Sequence, residues 1–184
     1  SSPERKVANI QFHFFPSFVI NHGLEDPDRH GYQLHASPNH PKSRGEITLN
    51  SSDPYDYPKI LFNYLKEEED LKQTRECIHV ARKILSQPAL AEHAGDEVGP
   101  GFDAQSDDEL NEYVRSKADT AYHPCGTCKM GVDGMAVVDQ DLKVNGIGNL
   151  RVIDASVIPE IPSANLNAPT PVSYTHLTLP TTGI

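Results

Sequence analysis

The stretch Glu67-Glu-Glu-Asp-Leu-Lys-Gln-Thr-Arg-Glu-Cys-Ile-His-Val-Ala-Arg-Lys-Ile-Leu-Ser-Gln87 decides the fold class. Leu71, Thr74, Ile78, Ala81 and Leu85 recur every three or four positions, with Glu and Lys between them. That spacing predicts an amphipathic helix of about five turns, stopped by Pro88. The acidic run Glu67–Asp70 falls at its start, where negative side chains complement the helix dipole, and is read as a solvated helix end. Upstream the period is different. Residues 8–20 are aromatic and apolar and read as a mostly buried strand interrupted at Pro16. Tyr32-Gln-Leu-His-Ala36 alternates, and Glu46-Ile-Thr-Leu-Asn50 alternates again after Gly45. Two alternating runs joined by a Pro-, Ser- and Asn-rich connection predict antiparallel partners in one sheet.

Downstream, Ser106-Asp-Asp-Glu109 is a capping box that opens a second helix, with Leu110, Tyr113 and Val114 as its buried stripe. From Thr120 onward the chain is turn-rich, and Met135–Val138 and Leu150–Ile153 are expected as short strands. Strands first, helices over one face and then a compact loop-rich segment make the fold class α+β.

The 184 residues carry 16 Lys+Arg against 26 Asp+Glu, a formal net charge of −10. This acidic balance argues against nucleic acid or an anionic membrane as partner, since both need clustered basic residues. No apolar run reaches the ~18 residues of a bilayer span. The first residues carry neither an initiator Met nor an apolar leader, so the chain is expected to be a piece of something longer. Three cysteines (Cys77, Cys125 and Cys128) are too few for a disulfide framework and suit a reducing, cytoplasmic compartment, with peripheral membrane association of a longer parent left open.

The densest chemistry lies in Tyr122-His-Pro-Cys-Gly-Thr-Cys-Lys-Met-Gly131. Cys125-x-x-Cys128 has the spacing of half a zinc site or of a redox pair, but no second cysteine pair completes a ligand set, and no strand-to-helix turn presents the thiols. His123, backed by Pro124, has the properties of a general base, because imidazole titrates near neutrality; an isolated His would instead be a core residue bonded to a carbonyl. Asn165-x-Asn167 before Ala-Pro has the character of a turn with side-chain to backbone bonds. His13 and His35 fall within the expected sheet.

The string Tyr122–Gly131 resembles the C-terminal signature of the glucose–methanol–choline (GMC) oxidoreductases, a flavin-dependent alcohol-oxidising family. So do Val138-Asp-Gln-Asp-Leu-Lys-Val-Asn-Gly-Ile-Gly-Asn-Leu-Arg-Val-Ile-Asp-Ala-Ser-Val-Ile-Pro159 and Asn165-Leu-Asn-Ala-Pro-Thr170. Upstream, Lys42-Ser-Arg-Gly45, Asp53-Pro-Tyr-Asp-Tyr-Pro-Lys-Ile-Leu-Phe-Asn-Tyr64 and Gln105-Ser-Asp-Asp-Glu109 are similar to it as well. The likeness runs in order over residues 8–170 and is greatest for the choline dehydrogenase-like branch.

What the resemblance implies is FAD as cofactor and a small alcohol, choline-like at first guess, as substrate, oxidised to the aldehyde with hydride passing to flavin N5. It implies His123 as the base for the substrate hydroxyl and Asn167 as the partner of the same oxygen. Asp154, Ala155, Pro169 and Thr170 become flavin neighbours; His13 and His35 would face the substrate cavity by the resemblance, while on their own they read as satisfied sheet residues. The resemblance also divides the chain into a substrate-binding region (1–118), an active-site loop with a flavin-proximal segment (119–170) and a tail (171–184).

Two departures accompany it. No Gly-x-Gly-x-x-Gly occurs, so the part of the flavin domain that grips the ADP moiety is missing and the flavin domain is expected to be incomplete. After Thr170 the family continues with an apolar helix, whereas Pro171, Pro180 and several threonines are expected to prevent one here. Residues 171–184 are therefore expected to be foreign to the pattern, and the chain alone is expected to bind no FAD tightly and to turn over no alcohol. The competing expectations are a non-catalytic binding or scaffold domain and a CxxC thiol or zinc module.

Overall fold

In the computed structural model residues 6–175 are described. They form four short strands and four helices: β1 (Ile10–Phe15), β2 (Gln33–Pro38), β3 (Glu46–Thr48), β4 (Lys59–Leu61), α1 (Glu68–Leu85), α2 (Pro88–Ala91), α3 (Asp107–Lys117) and α4 (Pro169–Thr175). The strands make two separate antiparallel hairpins, so the fold is a set of small antiparallel sheets with helices. Among the described residues, packing groups 6–43 with 64–118 in one compact unit, and 44–63 with 119–175 in a second.

In the first unit β1 pairs with β2 in a register that sets Phe12 opposite Ala36 and His13 opposite His35. α1 packs on β2 and α3 packs on α1. The core of the unit holds Leu71, Cys77, Leu110 and Val114. α1 stops where expected: the Ser86 N–H still reaches Arg82 O, and Pro88 then occupies the first position of α2, where a missing N–H costs nothing. α3 opens on the expected box. The Glu109 amide donates to Ser106 Oγ at 3.3 Å, and the Ser106 amide donates back to Glu109 Oε2 at 2.8 Å. Arg75 ties the two helices, donating to Asn111 Oδ1 at 2.7 Å and pairing with Asp107 at 3.0 Å.

Four expectations fail, each for a physical reason. Tyr32–Ala36 and Glu46–Asn50 do not pair with each other: β2 pairs with β1, and β3 pairs with β4 in the second unit. Alternation shows that a segment is a strand but carries nothing about which strand lies beside it. Asp70 is no solvated helix end. It is 2% exposed, and its two carboxylate oxygens accept the Lys42 amide at 2.7 Å and the Ser43 amide at 2.8 Å. The strands expected at Met135–Val138 and Leu150–Ile153 reduce to isolated bridges, Met130 with Val138, Val138 with Val144 and Lys143 with Arg151. Pro171 does not prevent a helix, because it is the third residue of α4, whose first-turn amides have no intrahelical acceptor to lose. The remainder of the expected foreign tail, residues 176–184 with Pro180, lies outside the described residues.

Candidate active site

All six residues assigned to the site by resemblance fall in the second unit. Its core is small: Val138, Leu142 and Val157 are buried, and Met130, Val137, Val144, Val152 and Ile153 pack against them. Such a cluster holds loops, and backbone hydrogen bonds fix how they run. The Cys128 amide donates to Ser156 O at 3.0 Å and the Met130 amide donates to Val157 O at 2.9 Å. The segment that follows His123 is thereby laced to the segment that carries Asp154 and Ala155. Gly126 supplies the bend that allows this approach, for its φ of +88° lies in the left-handed region that glycine adopts without strain.

His123 stands exposed on the loop between α3 and this lacing. Tyr122, immediately before it, has a left-handed φ of 59°, which a non-glycine residue adopts only when its surroundings hold it there. The Thr120 hydroxyl supports that bend by accepting the Tyr122 amide at 3.0 Å. Pro124 fixes the other side. The His123 ring makes no hydrogen bond to another described residue, so both nitrogens are open to a ligand.

Asn167 is exposed too, one residue after the buried Leu166. The turn expected at Asn165 is present: Asn165 Oδ1 accepts the Asn167 amide at 2.8 Å, an Asx turn that leaves the Asn167 side chain outside. Thr170, in the first turn of α4, returns to the same anchor, with its amide at 3.1 Å and its hydroxyl at 2.8 Å from Leu166 O. Pro169 and Thr170 are half-buried. No hydrogen bond joins His123 to Asn167 among the described residues.

Asp154 caps the 3-10 turn Ala155–Val157, its Oδ1 accepting the Ser156 amide at 2.8 Å and the Ser156 hydroxyl besides. Its carboxylate is therefore turned onto its own chain. The Ala155 amide, first of the turn, takes no partner among the described residues. The capping role was available in the sequence, since Asp-x-Ser ahead of an apolar pair is an Asx-cap pattern. The lacing of Cys128 and Met130 to Ser156 and Val157 had no such signal, because backbone pairing between loops carries no side-chain signature.

The thiols are free and half-buried. Burial raises the Cys125 pKa, and the Arg44 guanidinium only partly opposes it, so Cys125 is a thiol at neutral pH. Thiol-redox chemistry needs the opposite shift, and the CxxC module gains no support.

Comparisons with known proteins bear on the family of the chain. Residues 41–172 match the model of the C-terminal part of the family described as GMC oxidoreductase. The chain is 48% identical over 170 residues to an oxygen-dependent choline dehydrogenase of Cronobacter sakazakii, covering 92% of this chain and 30% of the relative. It is 48% identical over 167 residues to the oxygen-dependent choline dehydrogenase of Vibrio vulnificus, again covering 30% of that protein. The chain thus spans about a third of the length of the curated relatives it matches. Among solved structures it is similar to pyridoxine 4-oxidase from Mesorbium loti, with a TM-score of 0.83 and 28% identity over 92% of this chain and 33% of that one. It is also similar to a fungal aryl-alcohol oxidase, with a TM-score of 0.64 and 34% identity over 73% of this chain and 23% of that one. With a family model matched across well over half of its length, the chain belongs to the GMC oxidoreductase family.

Proposed function

We propose that this chain is the C-terminal portion of an FAD-dependent oxidoreductase that converts a small alcohol, choline-like at first guess, to its aldehyde. The observation that carries the proposal is the lacing of the His123 loop to the Asp154–Val157 turn within one compact unit, since an oxidation of this kind needs a base and a cofactor contact held in fixed relation. The relatives named as choline dehydrogenases support the substrate class.

His123 accepts the proton of the substrate hydroxyl. Its exposed, otherwise unbonded ring suits this role, and a base within hydrogen-bond reach lowers the barrier because the carbinol carbon gives up hydride more readily as its oxygen becomes alkoxide-like. Asn167 donates to that oxygen through its side-chain amide, a neutral donor that stabilises the growing negative charge without competing for the proton. Leu166, buried beneath it, and the Asx turn of Asn165 hold Asn167 in place.

The residues present fit the near side of FAD through their backbone. The unpartnered Ala155 amide is a donor for a flavin acceptor, whereas the Asp154 carboxylate is occupied by Ser156 and serves as a cap. Pro169 and Thr170 at the start of α4 complete the flavin-facing set. When bound, FAD supplies the hydride acceptor at its ring. The glycine-rich grip on the ADP moiety is not in this chain, which accounts for the expected inability of these residues alone to retain the cofactor.

On this reading the chain divides into a substrate-binding region (1–118), the active-site and flavin-proximal segment (119–170), and a C-terminal stretch (171–184) whose sequence departs from the family pattern. Its test is a comparison of the 184-residue chain with a longer chain that adds the glycine-rich fingerprint. The longer protein should purify yellow with bound flavin and reduce that flavin on adding choline. Colourless longer protein, or flavin that no alcohol reduces, would refute the proposal.

A further inference from the structure

The β3–β4 hairpin carries an apolar face that the second unit leaves open. Its register sets Ile47 opposite Ile60, Glu46 opposite Leu61 and Thr48 opposite Lys59. Side chains alternate along a strand, so Ile47 and Ile60 share one face, and Leu49 and Phe62, two positions on, extend it. Glu46, Thr48 and Lys59 fall on the other face with Leu61. Alternation of this kind belongs to an antiparallel sheet with one face packed and the other in water. Here the apolar face is not packed: Ile47, Leu49, Ile60 and Phe62 are 51, 81, 54 and 50% exposed. Contiguous apolar surface of this sort marks a place of contact, and a two-stranded hairpin is marginal in water without a layer against it.

The unit around the hairpin has the same shortage. Among its described residues the buried apolar side chains are Val138, Leu142, Val157 and Leu166, and all of them come from the loop-rich segment. A domain is built from packed layers around one core, and no second layer covers the hairpin here. The choline dehydrogenase relatives show how much chain could supply one. This chain covers 30% of their length, so most of a protein of that kind lies outside it. A second copy of this chain is the poorer occupant, since each copy carries a net charge of −10 and like charge opposes self-association.

We propose that the face formed by Ile47, Leu49, Ile60 and Phe62 is an intramolecular seam, on which the upstream portion of the longer protein, with its glycine-rich grip on the ADP moiety, packs. This seam rests on the reading of the chain as the C-terminal portion of a longer oxidoreductase. It adds to that reading a named surface, which the missing portion must match with apolar side chains of its own.

The test is carbene footprinting, read by mass spectrometry, of the 184-residue chain and of the longer protein. In the 184-residue chain Leu49 and Ile60 should label freely at every protein concentration. In the longer protein their labelling should fall by about tenfold, the change from an open side chain to a core one. Leu49→Asp adds a second readout. It should leave the thermal midpoint of the 184-residue chain within about 2 °C of the wild type, as a surface substitution does, and lower that of the longer protein well beyond this. Free labelling of Leu49 and Ile60 in a longer protein that is yellow and reduced by choline would overturn the seam and leave the oxidoreductase reading standing. Protection in a longer protein that binds no flavin would support the seam while the oxidoreductase reading fails. Protection in the 184-residue chain that grows with its concentration would give the face to a second copy and overturn the assignment.

Discussion

Replacing Asp70 with alanine should destabilise the chain by about 3 kcal/mol. Asp70 is the fourth acidic residue in a row and the only buried one, 2% exposed. One carboxylate oxygen accepts from the Lys42 amide at 2.7 Å and the other from the Ser43 amide at 2.8 Å. Hydrogen bonds to a charged acceptor contribute about 1.5–3 kcal/mol each, and truncation leaves two part-buried amides without this acceptor. The two bonds share one carboxylate and are not independent, which sets the estimate near the value of the stronger bond and not at the sum. For a chain of this length ~3 kcal/mol corresponds to a fall in Tm of about 6–12 °C. Asp70→Asn preserves shape but replaces one acceptor with a donor facing an N–H, so it should lose most of the same stability. Thermal unfolding followed by circular dichroism reads both. A shift below about 1 °C in either variant would show that Asp70 is solvated and that the loop at Lys42 is held by something else.

Two further substitutions probe the hairpin and the cap. A Cβ at Gly45 would overlap the Leu61 carbonyl oxygen and lie 2.8 Å from that of Phe62, so Gly45→Ala should separate β3 from β4. Faster exchange of the hairpin amides by hydrogen–deuterium mass spectrometry would report this, and unchanged protection would contradict it. Ser106→Ala should cost about 0.5–2 kcal/mol of α3 stability. The Ser106 hydroxyl, with the Ser106 and Gln105 amides, holds the Glu109 carboxyl below its usual range. A depressed carboxyl pKa adds stability above the unfolded value, 4.5, that is lost as pH falls through the folded one. The wild type should therefore lose stability between pH 5 and 3 more steeply than Ser106→Ala. Parallel profiles would remove Glu109 from the cap.

Asp70 also shows where the sequence stopped being legible. Periodicity located α1 to within two residues, and Ser106–Glu109 specified the start of α3 down to its hydrogen bonds, because both signals are local. Whether a helix-start carboxylate meets water or a distant loop depends on a partner 28 positions upstream, which no local pattern encodes. The same holds for β2 and β3, adjacent in sequence and alternating alike, yet each paired with a different strand. At the site, the turn at Asn165 was legible through its turn chemistry, whereas His123 and Asn167 are assigned through motif resemblance alone. The bonds from Cys128 and Met130 to Ser156 and Val157 were not, since backbone atoms leave no trace in residue identity. Pro171 misled because its position within a helix, and not its presence, decides whether it breaks one.

The central claim is that His123 takes the proton of the substrate alcohol. In the full-length protein, the direct measurement is choline turnover by His123→Ala with flavin content matched to the wild type. The account predicts a fall in kcat of about 10²–10⁴-fold, the usual scale for a general base, with flavin still bound. Turnover within a fewfold of the wild type would contradict it.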